Sequence, residues 1–222
     1  MRYRLAALLA LAAVVAGTAL GAATPVSPLP GARVTTSRPE FSWTLPPNEQ
    51  AKGVFISDSP DVTPAGGFFD ENVAAAGNFV TDERNWTPGS PLYAGHYWWS
   101  VWSTDTPNPH DRYSTPIDFT IPVSLAVLPI KTVRSTYLHL LAFKVRWRAN
   151  TPTVALRLQL LRRRRVIWRQ TETDPNVLGS LGSKSVGWYR PKGMKRGARL
   201  MLQVILRAKG VRKTRQRVVR AP

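Results

Sequence analysis

"HLLAFKVRWRA", His139–Ala149, puts Leu141, Phe143, Val145 and Trp147 on one face and Ala142, Lys144, Arg146 and Arg148 on the other. A period of two is the signature of a strand that buries one face and wets the other. "TVALRLQL", Thr153–Leu160, repeats the pattern, with Val154, Leu156, Leu158 and Leu160 set against Arg157 and Gln159. "VIWRQTE", Val166–Glu172, follows, so the arginines of "LRRRRVIW" lie between two strands. Arg162, Arg163, Arg164 and Arg165 are therefore predicted at the tip and flank of a hairpin, where each guanidinium stays hydrated. A tight turn favours Gly or Asn, so arginine there forgoes some local stability. "SVGWYRP", "ARLMLQVILRA" and "TRQRVVR" are further strands, separated by turns such as Lys192-Gly193 and Lys209-Gly210. This half is expected to be a basic, Ig-like antiparallel sandwich, apolar inside and arginine-rich outside.

Charge sets the boundary of that unit. The whole chain of 222 residues carries +18, but Thr24–Pro122 has a net of −6 and Val123–Pro222 a net of +22. The abrupt change at Ile121-Pro122 divides the chain into a domain of residues 33–122 and a basic domain of 123–222. Residues 24–32, rich in proline, form a segment leading into the first domain.

The first domain also reads as short strands between polar turns. "RPEFSWTL" sends Phe41 and Trp43 inward. "KGVFISDSPD" pairs Val54 with Ile56 and closes in an Asp58-Ser59-Pro60-Asp61 turn. "GNFVTD" is a weaker strand, "LYAGHYWWSVWS" is the most aromatic stretch, and "TPIDFTIP" is the last strand. The order P-x-F-x-W, V-F-I-S-D-S-P-D, P-L-x-x-G-x-Y-x-W-x-V and D-F-T-I-P resembles bacterial fibronectin type III-like domains across roughly residues 28–122. The resemblance implies a seven-stranded sandwich, with Tyr97 as the corner tyrosine that packs its ring and sends its hydroxyl to backbone at the strand's start. His96 departs from the small residue usual at that position. With Tyr97 inward, Trp99 and Val101 share its face, and Trp98 and Trp102 fall on the opposite one. There they either form a platform for sugar rings or pack under a neighbouring strand, loop or domain.

The chain opens with Arg2 and Arg4, a 12-residue apolar run Leu5–Ala16, and small residues before Thr24-Pro25. This reads as a signal peptide over residues 1–23, the run being short of the about 20 residues that span a bilayer. Retention as an anchor is the alternative, because small and apolar residues continue to Ala23. Tyr3 separates the two arginines, which departs from the twin-arginine pattern. The expected product is secreted or envelope-associated, with no transmembrane segment after cleavage. It has no cysteine, hence no disulfide framework, so burial and sheet hydrogen bonds must hold it.

No catalytic constellation is evident. His96, His110 and His139 have no ligand-type spacing, and the basic half holds only Glu172 and Asp174 as carboxylates. Asp70-Glu71 and Asp82-Glu83 are read as strand neighbours facing opposite ways, and His110-Asp111 as ordinary turn chemistry. The expectation is a non-catalytic, two-sandwich adhesion or envelope protein that uses no cofactor and no metal. Its basic domain would contact an anionic envelope polymer, acidic polysaccharide or phospholipid surface through Arg162–Arg165, Lys195 and Arg196, and other surface proteins are further candidate partners. Four other readings stay open at this point. They are carbohydrate binding through Trp98 and Trp102, sequence-independent extracellular nucleic-acid binding, a compositional excess of arginine, and docking of the two oppositely charged domains.

Overall fold

The computed structural model describes residues 23–47, 49–81, 83–103, 112–135, 138–175 and 181–222. The leading apolar run, Asp82 and the His110-Asp111 pair lie outside the described residues. The chain is all-β, and its strands gather into antiparallel sheets around two separate cores.

The first half contributes β1 (Thr24–Ser27), β2 (Ala32–Arg33), β3 (Phe41–Thr44), β4 (Ala51–Ser57), β5 (Val73–Thr81), β6 (Asn85–Trp86), β7 (Gly95–Ser103) and β8 (Ile117–Ile121). One sheet runs β1-β3-β6 and the other β2-β8-β7-β4-β5. Eight strands thus stand where the resemblance implies seven, and β2 joins β8 as a two-residue parallel pair. Alternation explains the core between the sheets. Phe41 and Trp43 from one sheet meet Val54, Ile56, Trp99, Val101 and Phe119 from the other, all buried. Phe41 touches Trp99 and Phe119 edge-on, at centroid distances of 5.0 and 5.5 Å. Trp99 satisfies its indole N–H on the Pro28 carbonyl at 3.3 Å. Asp70-Glu71, expected on a strand, instead opens a 3-10 turn, Asp70–Asn72, and both side chains are exposed.

Tyr97 is buried, and its hydroxyl donates to the Tyr93 carbonyl at 3.0 Å, just ahead of β7. Burial pushes its pKa up, with the nearby Asp58 charge adding to the effect. The bond matters beyond the corner because it fixes the segment that the second half grips. The Ala94 N–H donates to the Asn150 carbonyl at 2.6 Å, and Lys209 Nζ donates to the Ala94 carbonyl at 2.6 Å. Asn150 also ties the junction through its side chain: Oδ1 accepts from Ser124 N–H at 2.7 Å and Nδ2 donates to Pro122 O at 2.9 Å.

The second half contributes β9 (Leu125–Val127), β10 (Lys131–Ser135), β11 (Leu140–Ala149), β12 (Thr153–Arg162), β13 (Arg165–Pro175), β14 (Gly182–Tyr189), β15 (Arg199–Ala208) and β16 (Val211–Arg220). One sheet is β10-β11-β14, with β9 pairing the end of β11; the other is β13-β12-β15-β16. Leu141, Phe143, Val145 and Trp147 share a core with Val154, Leu156, Leu158 and Leu160. Full burial of each such aliphatic side chain contributes about 1.5–3 kcal/mol. The outward assignment of Gln159 is corrected. Gln159 is buried, because it bonds Gln203 directly opposite on β15. Arg215 and Arg217 sit on the core side of β16, where they donate to the Val127 and Ile130 carbonyls and close the open edge of the sandwich.

The Trp147 ring lies flat over Gly182, its partner on β14, and occupies the space a Cβ would need. Trp147 is enclosed and cannot swing away. Gly182→Ala should therefore lower unfolding free energy by about 1–3 kcal/mol, whereas Gly89→Ala, in open space, should be silent. Equal denaturant midpoints for the two variants would contradict this ring placement. Tyr97→Phe, which loses one partly buried hydrogen bond, should cost about 0.5–1.5 kcal/mol by the same measurement.

Candidate polyanion-binding groove

The β12–β13 hairpin turns through Arg163 and Arg164, whose φ angles are +46° and +67°. Positive φ at both central residues is the type I′ pattern, which suits right-twisted strands but strains side chains that carry a Cβ. The β15–β16 hairpin of the same sheet meets this demand with Lys209-Gly210, at +43° and +79°. The arginine turn has no such relief, and its four arginines are exposed.

A second element faces this tip. Between β14 and β15 the chain makes a loop that carries Lys195 and Arg196. Met194 anchors the loop by burying its side chain in the core, and Arg190 donates to the Met194 carbonyl. The loop is also stitched to the end of the chain: Gly197 N–H donates to Ala221 O at 2.9 Å, and Ala221 N–H to Ala198 O at 2.9 Å. The two basic segments, 30 residues apart in sequence, become neighbours because β12 pairs with β15 and sets Leu161 opposite Met201.

Between them lies a groove of about 830 Å³. Arg162, Arg163 and Arg164 line one side, and Lys195, Arg196 and Arg199 the other. Leu161, Met201 and Val218 form the floor, with Gln216 beside them. No carboxylate is among these lining residues. Five of the six basic residues expected from sequence thus meet at one site. The sixth, Arg165, pairs across the hairpin from Arg162 and stays outside the lining. Arg199, Gln216 and Val218 were not anticipated. Arg199 opens a strand that reads as ordinary alternation, and β16 enters only through its pairing with β15.

The domain's own acids lie elsewhere. Glu172 is seven residues along β13 from Arg165, about 23 Å at 3.3 Å per residue and well beyond a screening length of about 8 Å. Lys184 lies 2.5 Å from Glu172, and with Gln170 it holds that carboxyl below the usual range. The acidic first half is also remote. Its contact at Lys209 is ten residues from Arg199, one step past the end of β15, about 33 Å. The groove's positive field therefore faces solvent unpaired.

Trp98 and Trp102 are each half-buried and belong to different ring clusters. Trp98 stacks on His96 at 4.3 Å, and His96 bonds Asp118 at 3.0 Å, lowering that carboxyl's pKa. Trp102 stacks on Tyr113 at 6.1 Å and lies near Phe55 and the Lys52 ammonium. Tyr113 is in turn pressed by Gly67, from the loop that covers this face. Ser100, fully buried, separates the two clusters. In the second half, Trp147 and Trp188 are core, and Trp168 packs edge-on against Phe143 at 5.8 Å. Among the described residues no three metal-ligating side chains are grouped, and no helix is long and apolar enough to cross a membrane.

No protein-family model and no curated protein matches the sequence. Solved structures that align with it include α-L-rhamnosidase from Dictyoglumus thermophilum, at 12% identity, 90% of this chain, 30% of that one and a TM-score of 0.28. A DUF3823 family protein from Bacteroides ovatus aligns at 10% identity, 91% and 97% coverage and a TM-score of 0.31. The BSP domain of a biofilm-associated protein aligns at 12%, 89% and 29%, with a TM-score of 0.26. The chain spans less than a third of the rhamnosidase and of the biofilm-associated protein.

The strained turn yields a two-sided prediction. Arg163→Asn with Arg164→Gly should raise the melting temperature by several degrees, since it relieves about 1–2 kcal/mol of backbone strain. The same pair should elute from heparin at lower salt than the unaltered chain. A variant that is neither more stable nor more weakly retained would refute the idea that this turn trades stability for binding.

Proposed function

We propose that the chain is an exported, non-catalytic envelope protein whose second domain grips an anionic component of the cell envelope in this groove. An acidic polymer, an acidic polysaccharide or an anionic phospholipid surface is the expected class. The first domain, fibronectin type III-like by its motifs, serves as a spacer or a contact for other surface proteins. One observation carries the reading: six cations line one groove that has no Asp or Glu in its lining, on two turns and the strand ends beside them, which the fold holds in place. An unpaired positive cleft raises the local concentration of polyanions and speeds their capture. Preformed turns limit the side-chain and loop ordering that binding would otherwise require.

A compositional excess of arginine would also make the domain stick to heparin, so the test must separate place from total charge. Arg162→Gln, Arg163→Gln, Arg164→Gln and Arg196→Gln together remove four charges at the groove. Lys131→Gln, Lys144→Gln, Arg146→Gln and Arg148→Gln remove four from the opposite sheet. Retention on a heparin column should fall much further for the groove set than for the sheet set. Equal losses would mean that net charge alone binds and that the groove is no site.

A further inference from the structure

The groove's floor is apolar, and that narrows its ligand. Val166, Leu161, Met201 and Val218 stand in register across all four strands β13-β12-β15-β16, on the outer face of the sheet. A bulge between Leu160 and Leu161 leaves Ile167 as an extra residue on β13, so two successive apolar side chains are exposed beside the arginine tip. Val166, Ile167 and Val218 are 41%, 38% and 48% exposed. An ordinary strand would have turned one of the two hairpin residues inward.

We infer that this end of the second domain docks on the surface of an anionic phospholipid bilayer. The inference rests on the proposed function and names the envelope component that the groove takes. A hydrated acidic polymer would use the rim and gain nothing from an apolar row crossing four strands. A bilayer interface has use for both. Its anionic headgroups attract basic side chains within a screening length, and its acyl boundary takes apolar side chains that lie between them. The groove offers both side by side. Arg162, Arg163, Arg164, Lys195, Arg196 and Arg199 line the groove together with Leu161, Met201 and Val218, and Val166 and Ile167 continue the apolar row beyond the groove onto β13. The groove lies at the end of the sheet away from the Lys209–Ala94 contact, so the first half stands off the surface and does not compete for it.

The test uses the chain from Ala23 onward, which holds both hydrophobic cores and lacks the leading apolar run that would itself enter lipid. Flotation is measured with phosphatidylcholine vesicles, with and without phosphatidylglycerol, and heparin elution is measured in parallel. The unaltered chain should float with the phosphatidylglycerol vesicles and keep part of that binding at high salt. Val166→Thr, Ile167→Thr and Val218→Thr together keep β-branched residues on the surface. They should weaken vesicle partition by about tenfold or more while heparin elution stays unchanged. Val218→Thr alone, the mildest change, should move partition in the same direction if the triple variant melts poorly. No flotation of the unaltered chain, or full partition of the threonine variants, would overturn the bilayer and leave a soluble polyanion as the ligand. Loss of heparin retention by the sheet-charge variant as readily as by the groove variant would instead overturn the proposed function.

Discussion

Leu156, Leu158 and Leu160 must share an interior with Phe143, Val145 and Trp147, and that requirement sets the register of the second domain. A slip of one residue in β12 would turn the leucines to water and press Arg157 into the core, which no hydrogen-bond partner there could offset. The chain has no cysteine, so buried apolar area and ladder hydrogen bonds alone oppose the slip. The same register places Leu161 beside Met201 on the outer face. The groove is thus a by-product of how the inside is packed, and the side chains that line it inherit the rigidity of the sheet beneath them.

Much of the fold could be read from alternation, because a half-buried strand writes its inward face directly into every second residue. Phe41 and Trp43, Val54 and Ile56, and the leucines of β12 all lie where that period sends them. What the period misses is pairing at a distance. The two basic segments of the groove are separated by two strands, and nothing local announces that β12 and β15 are neighbours. The bulge at Ile167 is invisible for a related reason, since an extra residue is defined only against a partner strand. Gln159 and Arg217 look like surface residues by type, yet one is buried by a cross-strand glutamine and the other holds a backbone carbonyl at the rim. The Asp70–Asn72 turn shows the opposite failure, an assumed strand where a short 3-10 segment precedes β5.

Tyr97 links the two halves in a way neither half shows alone. Its hydroxyl holds Tyr93, and the next residue, Ala94, offers both its N–H and its carbonyl to the second half. Asn150 receives one of these and at the same time clasps Pro122 and Ser124 around the connection. A residue whose ordinary duty is to finish a strand therefore also presents the docking point of the next domain. Groove and junction lie at opposite ends of the same sheet, so whatever binds at one end meets the domain that carries the other as a stalk.

The basic residues outside the lining of this groove have consequences of their own. β13 and β16 are the free edges of their sheet, and an uncovered edge is a template on which another copy's strand can continue the ladder. β16 carries Arg212, Lys213, Arg215, Arg217 and Arg220, and β13 carries Arg165 and Arg169. Two copies meeting edge to edge would oppose like charges about 5 Å apart. Fibre growth along this sheet is thereby discouraged at its first step. A chain crowded onto a surface, where local concentration is high, would meet its own copies often and still not polymerise with them.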